Sequence, residues 1–248
     1  MIKAVYSGGK DFYEMLKGLL KVTDNITLNF TEDGLISRHL TEDKVLMGII
    51  NIPKESFEEY TISQPIAIDL AIGDLKKVLS KAVSKSSAIE LSETEEGLKM
   101  VIRDEKSGVR SNLYIKGNKS NVNLLNEPKV NLPVSFQIAG KHLKVILRDV
   151  SSIGDEVTIK AENDYIEFNT EGEGKVYKAT LRKDKPLTDL TIEGSAQAIY
   201  SVEMLKTAVD GASFSGDIVV SFGTNMPLKI IAKATQGGYL GFWVAPRL

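Results

Sequence analysis

Few residues of this chain are of a type and spacing that could act on a substrate. Carboxylates adjoin at Glu32–Asp33, Glu42–Asp43, Glu95–Glu96 and Asp155–Glu156, and there are two histidines, His39 and His142, and no cysteine. A carboxylate-dependent metal nuclease needs acids that converge on one cleft from different elements. Each of these pairs falls instead in a turn signal between strand-like runs, where Asp and Glu bond the local backbone. The lack of cysteine removes disulfides, thiolate metal sites and sulfur nucleophiles together. Two histidines are too few for a three-histidine zinc centre. His39 reads as a rim or surface residue, and His142 has an isoleucine, not a ligand, one helical turn on at position 146. The GEGK run at 172–175 lacks the rest of a phosphate loop and reads as a hairpin turn. No Gly-x-Ser-x-Gly elbow occurs. We therefore expect no catalytic residues, no metal and no cofactor, and keep the metal nuclease as a rival reading.

Lysine is what recurs. The 248 residues carry 31 basic and 33 acidic side chains, a net charge of −2, and 25 of the basic ones are lysine. Helix-periodic segments begin near Lys10, Gly73, Gly140 and Val202. In the first, Phe12, Leu16, Leu19 and Leu20 form an apolar stripe, and Lys10, Lys17 and Lys21 lie opposite. In the second, Leu75, Val78, Leu79 and Ala82 oppose Lys76, Lys77 and Lys81, with Lys85 at the exit. In the third, Leu143, Ile146, Leu147 and Val150 oppose Lys141, Lys144 and Arg148. The fourth packs Leu205, Ala208 and Val209 and carries Lys206 alone, between Glu203 and Asp210. Eleven of the 31 basic residues thus fall on or beside four short segments. A lysine-rich helix face is often no more than a solvated one. Three repeats of the same polarity in an acidic chain point further, to a sorted positive surface. Lysine is a point charge on a flexible stem, suited to phosphates rather than base edges, so such a surface would bind a nucleic-acid backbone without sequence preference.

Strands position these helices. IKAVYS, PIAIDLA, VSFQIA and AQAIYS precede them, and NITLNF, SAIELS, EVTIKA and DIVVSF follow. The triplets EDG at 32–34, EEG at 95–97 and END at 162–164 then close hairpins. The unit is strand–helix–strand–strand–strand, four times over. Alternation such as Ile26, Leu28 and Phe30 against Thr27 and Asn29 marks strands with one packed face. The fold class is α+β, with sixteen to eighteen strands in antiparallel sheets and helices on one face. Residues 117–133, rich in Asn and Pro, form a linker between a domain at 1–116 and a topologically similar one at 134–248, the pattern of an old duplication. No apolar run approaches the ~20 residues of a membrane span. The start MIKAVYSGGK has no secretory core, so we expect a cytoplasmic protein with no membrane partner.

Three short motifs in this order, RDVSSIGD at 148–155, NMPLKI at 225–230 and FWVAPRL at 242–248, together with the four repeats and the linker, resemble the sliding clamps. The resemblance is specifically to the archaeal form of the proliferating cell nuclear antigen and covers the whole chain. The resemblance implies a non-catalytic processivity factor. Two further clamp subunits, identical or different, would close with this one into a ring around double-stranded DNA, nucleoid-associated in a prokaryote. The DNA-facing residues would be Lys10, Lys17, Lys21, Lys76, Lys77, Lys81, Lys141, Lys144, Arg148 and Lys206. The subunit interface would join the strand at 109–117 to that at 174–181, with Val109, Tyr114, Tyr177 and Leu181 packed beside the ladder. A DNA polymerase, flap nuclease, ligase and clamp loader would dock through short peptide motifs. Their pocket would be lined by Leu40, Met47, Leu124 or Leu125, Pro227, Trp243, Ala245 and Pro246. A ring-shaped scaffold that binds no DNA is the other reading.

Overall fold

The computed structural model describes residues 1–71, 79–80 and 83–247. They form two compact units: Met1–His39, Gly48–Asn126 and Lys233–Leu240 make the first, and Leu40–Met47, Glu127–Ala232 and Gly241–Leu248 the second.

The elements run β1 (Ile2–Tyr6), α1 (Gly9–Leu19), β2 (Asn25–Thr31), β3 (Gly34–Leu40), β4 (Leu46–Pro53), β5 (Glu59–Ile62), β6 (Ile66–Ala71), β7 (Ser87–Thr94), β8 (Gly97–Asp104) and β9 (Arg110–Ser120). In the first unit one antiparallel sheet has the order β5–β1–β7–β8–β9. The other has the order β3–β2–β6–β9. β9 serves both: Arg110–Lys116 pairs with β8, and Gly117–Ser120 with β6. Gly117 permits the change of partner, because a Cβ there would stand 2.5 Å from the Asp69 carbonyl oxygen.

The chain continues with β10 (Val134–Ala139), α2 (Gly140–Ser151), β11 (Glu156–Glu162), β12 (Tyr165–Gly172), β13 (Lys175–Lys183), β14 (Pro186–Ile192), β15 (Ala196–Ser201), α3 (Val202–Ala212), β16 (Asp217–Phe222), β17 (Leu228–Lys233), β18 (Tyr239–Val244) and β19 (Pro246–Arg247). The second unit repeats the wiring of the first. β10 lies between β14 and β16 as β1 lies between β5 and β7. β11 lies between β12 and β15 as β2 lies between β3 and β6. The expected strand order recurs, with three of the four expected α-helices among the described residues and nineteen strands there rather than sixteen to eighteen. Most of the second expected helix, with Lys76, Lys77 and Lys81, lies outside the described residues.

Period-two burial builds both cores. Ile26, Leu28 and Phe30 are fully buried on β2, as are Val157, Ile159 and Ala161 on β11. α1 packs on β7 through Phe12, Met15, Leu16 and Leu19. Leu20, expected in that stripe, is the half-buried C-cap, and Met15 takes its place. α3 is capped by Ser201, whose hydroxyl accepts the Met204 N–H. The turn triplets adopt the left-handed region the sequence asks for, at Gly34, Gly97 and Asn163, and Glu173 and Gly174 close the GEGK turn in the same way. Strand pairing runs on to Ser120, so only 121–133 of the expected 117–133 linker lacks regular structure.

Gly97 has φ +149, and a Cβ there would lie 2.3 Å from the Ile115 carbonyl oxygen. Gly97→Ala is expected to lower the unfolding free energy by about 1–3 kcal/mol through strain and a displaced β9. Urea unfolding of the variant against the parent chain measures it.

Candidate nucleic-acid and partner interfaces

The basic helix faces are solvent-facing but not uniformly unpaired. On α1, Lys10 is exposed, as is Lys21 just beyond the helix end. Lys17 is bonded to Glu14 at 2.6 Å. On α2, Lys141, Lys144 and Arg148 are exposed. Lys144 reaches Asp210 of α3 at 3.0 Å, Arg148 lies 3.5 Å from Asp149, and Lys206 of α3 donates to Ser151 at 3.2 Å. Lys10, Lys21 and Lys141 have no ion pair among the described residues. Pairs this exposed contribute little to stability, so a phosphate can displace the acid. The i−3 spacing of Glu14 from Lys17 is readable in the sequence; the meeting of Lys144 with Asp210 is not. The four adjacent carboxylate pairs all sit exposed at or beside turns.

Among the described residues, each unit leaves a long strand edge uncovered. In the first unit, Arg110–Lys116 of β9 pairs with β8 on one side and with no strand on the other, among the described residues. In the second, β13 pairs along its length with β12, while its other side meets, among the described residues, only β14, at Arg182 and Lys183. Val109 and Tyr114 are exposed, and the Lys99 ammonium stands 5.5 Å from the Tyr114 ring. On β13 the expected set needs correction. Leu181 is 1% exposed and belongs to the core of its own unit, whereas Val176 is 60% exposed and is the apolar side chain on the outer face. Tyr177, on the Leu181 face, is half-buried, and burial raises its hydroxyl pKa, with Asp149 acting in the same direction.

Of the expected peptide-pocket residues, Leu40, Met47, Pro227, Trp243, Ala245 and Pro246 belong to the second unit. Leu40, Pro227, Ala245 and Pro246 are half-buried, and Met47 is buried. The Ala245 N–H donates to the Val45 carbonyl at 2.8 Å, and Pro246 pairs with Tyr200 in the β15–β19 ladder. Trp243 is buried. Its indole N–H donates to Glu127 at 3.1 Å, the Lys229 ammonium stands 4.8 Å from its ring, and Lys229 also pairs with Glu127 at 3.5 Å. Residues so far apart in sequence leave no local signal, and neither Glu127 nor Lys229 was expected. Leu124 and Leu125 belong to the first unit, Leu124 half-buried and Leu125 exposed. There the Arg38 guanidinium donates to the Leu125 carbonyl at 2.8 Å and ties the linker to β3.

His39 is a structural acceptor. The Thr27 N–H donates to its Nε2 at 3.0 Å. Burial holds the imidazole below its ordinary pKa, and Asp69 opposes that shift. The unfolded chain therefore takes up this proton at a higher pH than the folded chain. Stability linked to His39 is full above the unfolded value of about 6.5 and is lost as pH falls through the folded value. His39→Gln keeps an acceptor without the titration. The stability difference between parent and variant is expected to shrink between about pH 7.5 and about pH 5. Denaturant unfolding at both values checks this, and a constant difference would contradict it.

Comparison with known proteins bears on the whole chain. Residues 1–123 match the family model of the proliferating cell nuclear antigen N-terminal domain, and residues 128–247 match that of its C-terminal domain. The chain is 54% identical over 248 residues to DNA polymerase sliding clamp 2 of Sulfurisphaera tokodaii, covering 100% of both. It is 52% identical over 249 residues to DNA polymerase sliding clamp 1 of Saccharolobus solfataricus, again covering 100% of both. A structure of the PCNA2–PCNA3 complex from Sulfolobus tokodaii shares the fold, with a TM-score of 0.83 at 23% identity over 99% of each chain. The doubled strand wiring, the paired domain matches and full-length relatives above half identity lead to one conclusion: this chain belongs to the proliferating cell nuclear antigen family, the DNA polymerase sliding clamps.

Proposed function

We propose that the chain is one subunit of a trimeric ring that encircles duplex DNA and tethers replication and repair enzymes to it without chemistry of its own. The pair of uncovered edges, β9 in one unit and β13 in the other, carries this reading. A strand edge with unpaired N–H and C=O groups is a template for another strand. Two different edges on one chain give head-to-tail joints, and these form a ring when the rotation closes. A folded chain of this length has a radius of gyration of about 18 Å, too small to surround a duplex alone.

Outward on β9 stand Arg110 and Lys116, and outward on β13 stand Lys178 and Arg182. Each is paired with an acid of its own unit: Arg110 with Glu90 at 4.0 Å, Lys116 with Glu96 at 3.4 Å, Lys178 with Glu167 at 3.8 Å, and Arg182 with Asp164. Both edges therefore carry both signs, and identical or different subunits fit them alike. The sister subunits and the duplex would be the constant partners, in the cytoplasm where the chromosome lies.

Lysine and Arg148 on the helices supply a diffuse positive lining that attracts the backbone and lets the ring slide. The linker leucines of the first unit and, separately, the Trp243 region of the second would offer docking surface to short peptides of a polymerase, flap nuclease, ligase and clamp loader. An aromatic anchor arriving on Trp243 would displace the Lys229 ammonium from the ring face.

Changing Lys10, Lys141, Lys144 and Arg148 together to Glu is expected to cut stimulation of polymerase on a primed circular template by roughly tenfold or more. The sedimentation mass of the assembled ring should not change. Full stimulation by the variant would remove the lining from the account.

A further inference from the structure

The first unit holds a cavity of about 630 Å³ where β3 leaves β2. The two strands stay in register only over Asn29–Thr31. Beyond that, side chains take over from the ladder. The Ser37 hydroxyl donates to the Thr27 carbonyl at 2.6 Å, and the Thr27 N–H donates to His39. The gap is walled by Thr27, His39, Asp69 and Leu70, and by Lys116 and Gly117 of β9. Its volume lies in the range of pockets that take small ligands or several side chains.

Its polar groups have a definite preference. Asp69 accepts the Thr27 hydroxyl on Oδ1 at 2.6 Å, and among the described residues no lysine or arginine pairs with it. Lys116, the one cation in the wall, is paired with Glu96 at 3.4 Å. His39 accepts on Nε2, so a neutral ring carries its proton on Nδ1 and adds no positive charge. What remains is a half-buried carboxylate with spare acceptor capacity beside carbon of Leu70 and Ala71. The linker runs close by in sequence and is fastened to the same strand end. Arg38, the residue before His39, holds the Leu125 carbonyl, and the Leu125 side chain is 43% exposed.

We propose that this cavity is a subsite for a cationic side chain, arginine or lysine, of a partner protein whose peptide docks on the linker, with Asp69 as the counter-charge. The proposal rests on the reading of Leu125 as a peptide anchor. The cavity then selects among partners by a charged residue outside their apolar anchors.

Two titrations of the full-length protein test it. In the first, Nα-acetyl-arginine methylamide is added and amide resonances of Thr27, His39 and Asn118 are followed by NMR. The citrulline analogue, equal in shape and uncharged, is the control. Saturable shifts with arginine, at least about tenfold weaker with citrulline, are expected. Asp69→Asn, which retains an acceptor for Thr27, should erase that preference. Equal response to citrulline, saturation by the acetyl-glutamate analogue instead, or no shift at these residues would overturn the subsite. In the second, peptides with aliphatic and aromatic anchors followed by arginine or by citrulline are measured by calorimetry. Leu125→Ala should weaken both peptides equally, and Asp69→Asn only the arginine one. Loss of binding by neither peptide in Leu125→Ala, with the small probe still saturating, would sink the linker reading and the partner assignment while leaving a cation site. Equal affinities of the two peptides for the parent chain would overturn selection by the cavity.

Discussion

Unpaired backbone on two strands is the constraint around which this chain is organised. Over Arg110–Lys116 of β9 and over Lys175–Leu181 of β13, hydrogen-bonding groups on one side meet no strand of the described chain. A solitary soluble domain blunts such edges with short strands, prolines, bulges or charge. Here the strands are long, and the blunting is only partial: Tyr114 and Val176 stand exposed among lysines and arginines. The remainder of each strand is closed off, β9 by β6 from Gly117 onward and β13 by β14 at Arg182 and Lys183. Each open stretch is therefore followed at one end by residues already paired, which limits the registers a partner strand can take.

Enclosure changes what the helices need to do. A protein that holds DNA by contact requires many ion pairs and loses affinity steeply with salt. A closed ring needs only enough positive potential to centre the duplex. In the proposed lining, Lys17 with Glu14, Lys144 with Asp210 and Arg148 with Asp149 would meet that weaker demand. Their acids temper the field without removing it, since exposed pairs exchange readily with water and other ions. Sliding is then compatible with residence, because no single contact fixes the position along the duplex.

The strand order of the four repeats, and the helices of three of them, were legible in the sequence because period-two burial and turn chemistry are local properties. Ile26, Leu28 and Phe30 announce β2, and EDG, EEG and END announce the hairpins that Gly34, Gly97 and Asn163 close. Features set by distant residues were not legible. On β13 the choice between Val176 and Leu181 as the outward side chain depends on the phase of the strand, and a strand this polar on both faces does not declare it. The cover over Trp243 needs Glu127 and Lys229, which come from the linker and β17. The extension of β9 into the expected linker depends on Gly117 passing against Asp69, a contact between strands far apart in the chain. The gap beside His39 arises because Ser37 and His39 replace a backbone ladder, and the sequence there reads as an ordinary strand.

The central claim is that grip comes from a closed circle of subunits rather than from adhesion. The most direct test loads the assembled protein onto nicked circular DNA, cuts the circle once, and measures the bound fraction at an ionic strength too high for lysine–phosphate adhesion. The account predicts stable retention on the circle and rapid loss from the linear product. Equal retention on both forms, or equal loss from both, would contradict it.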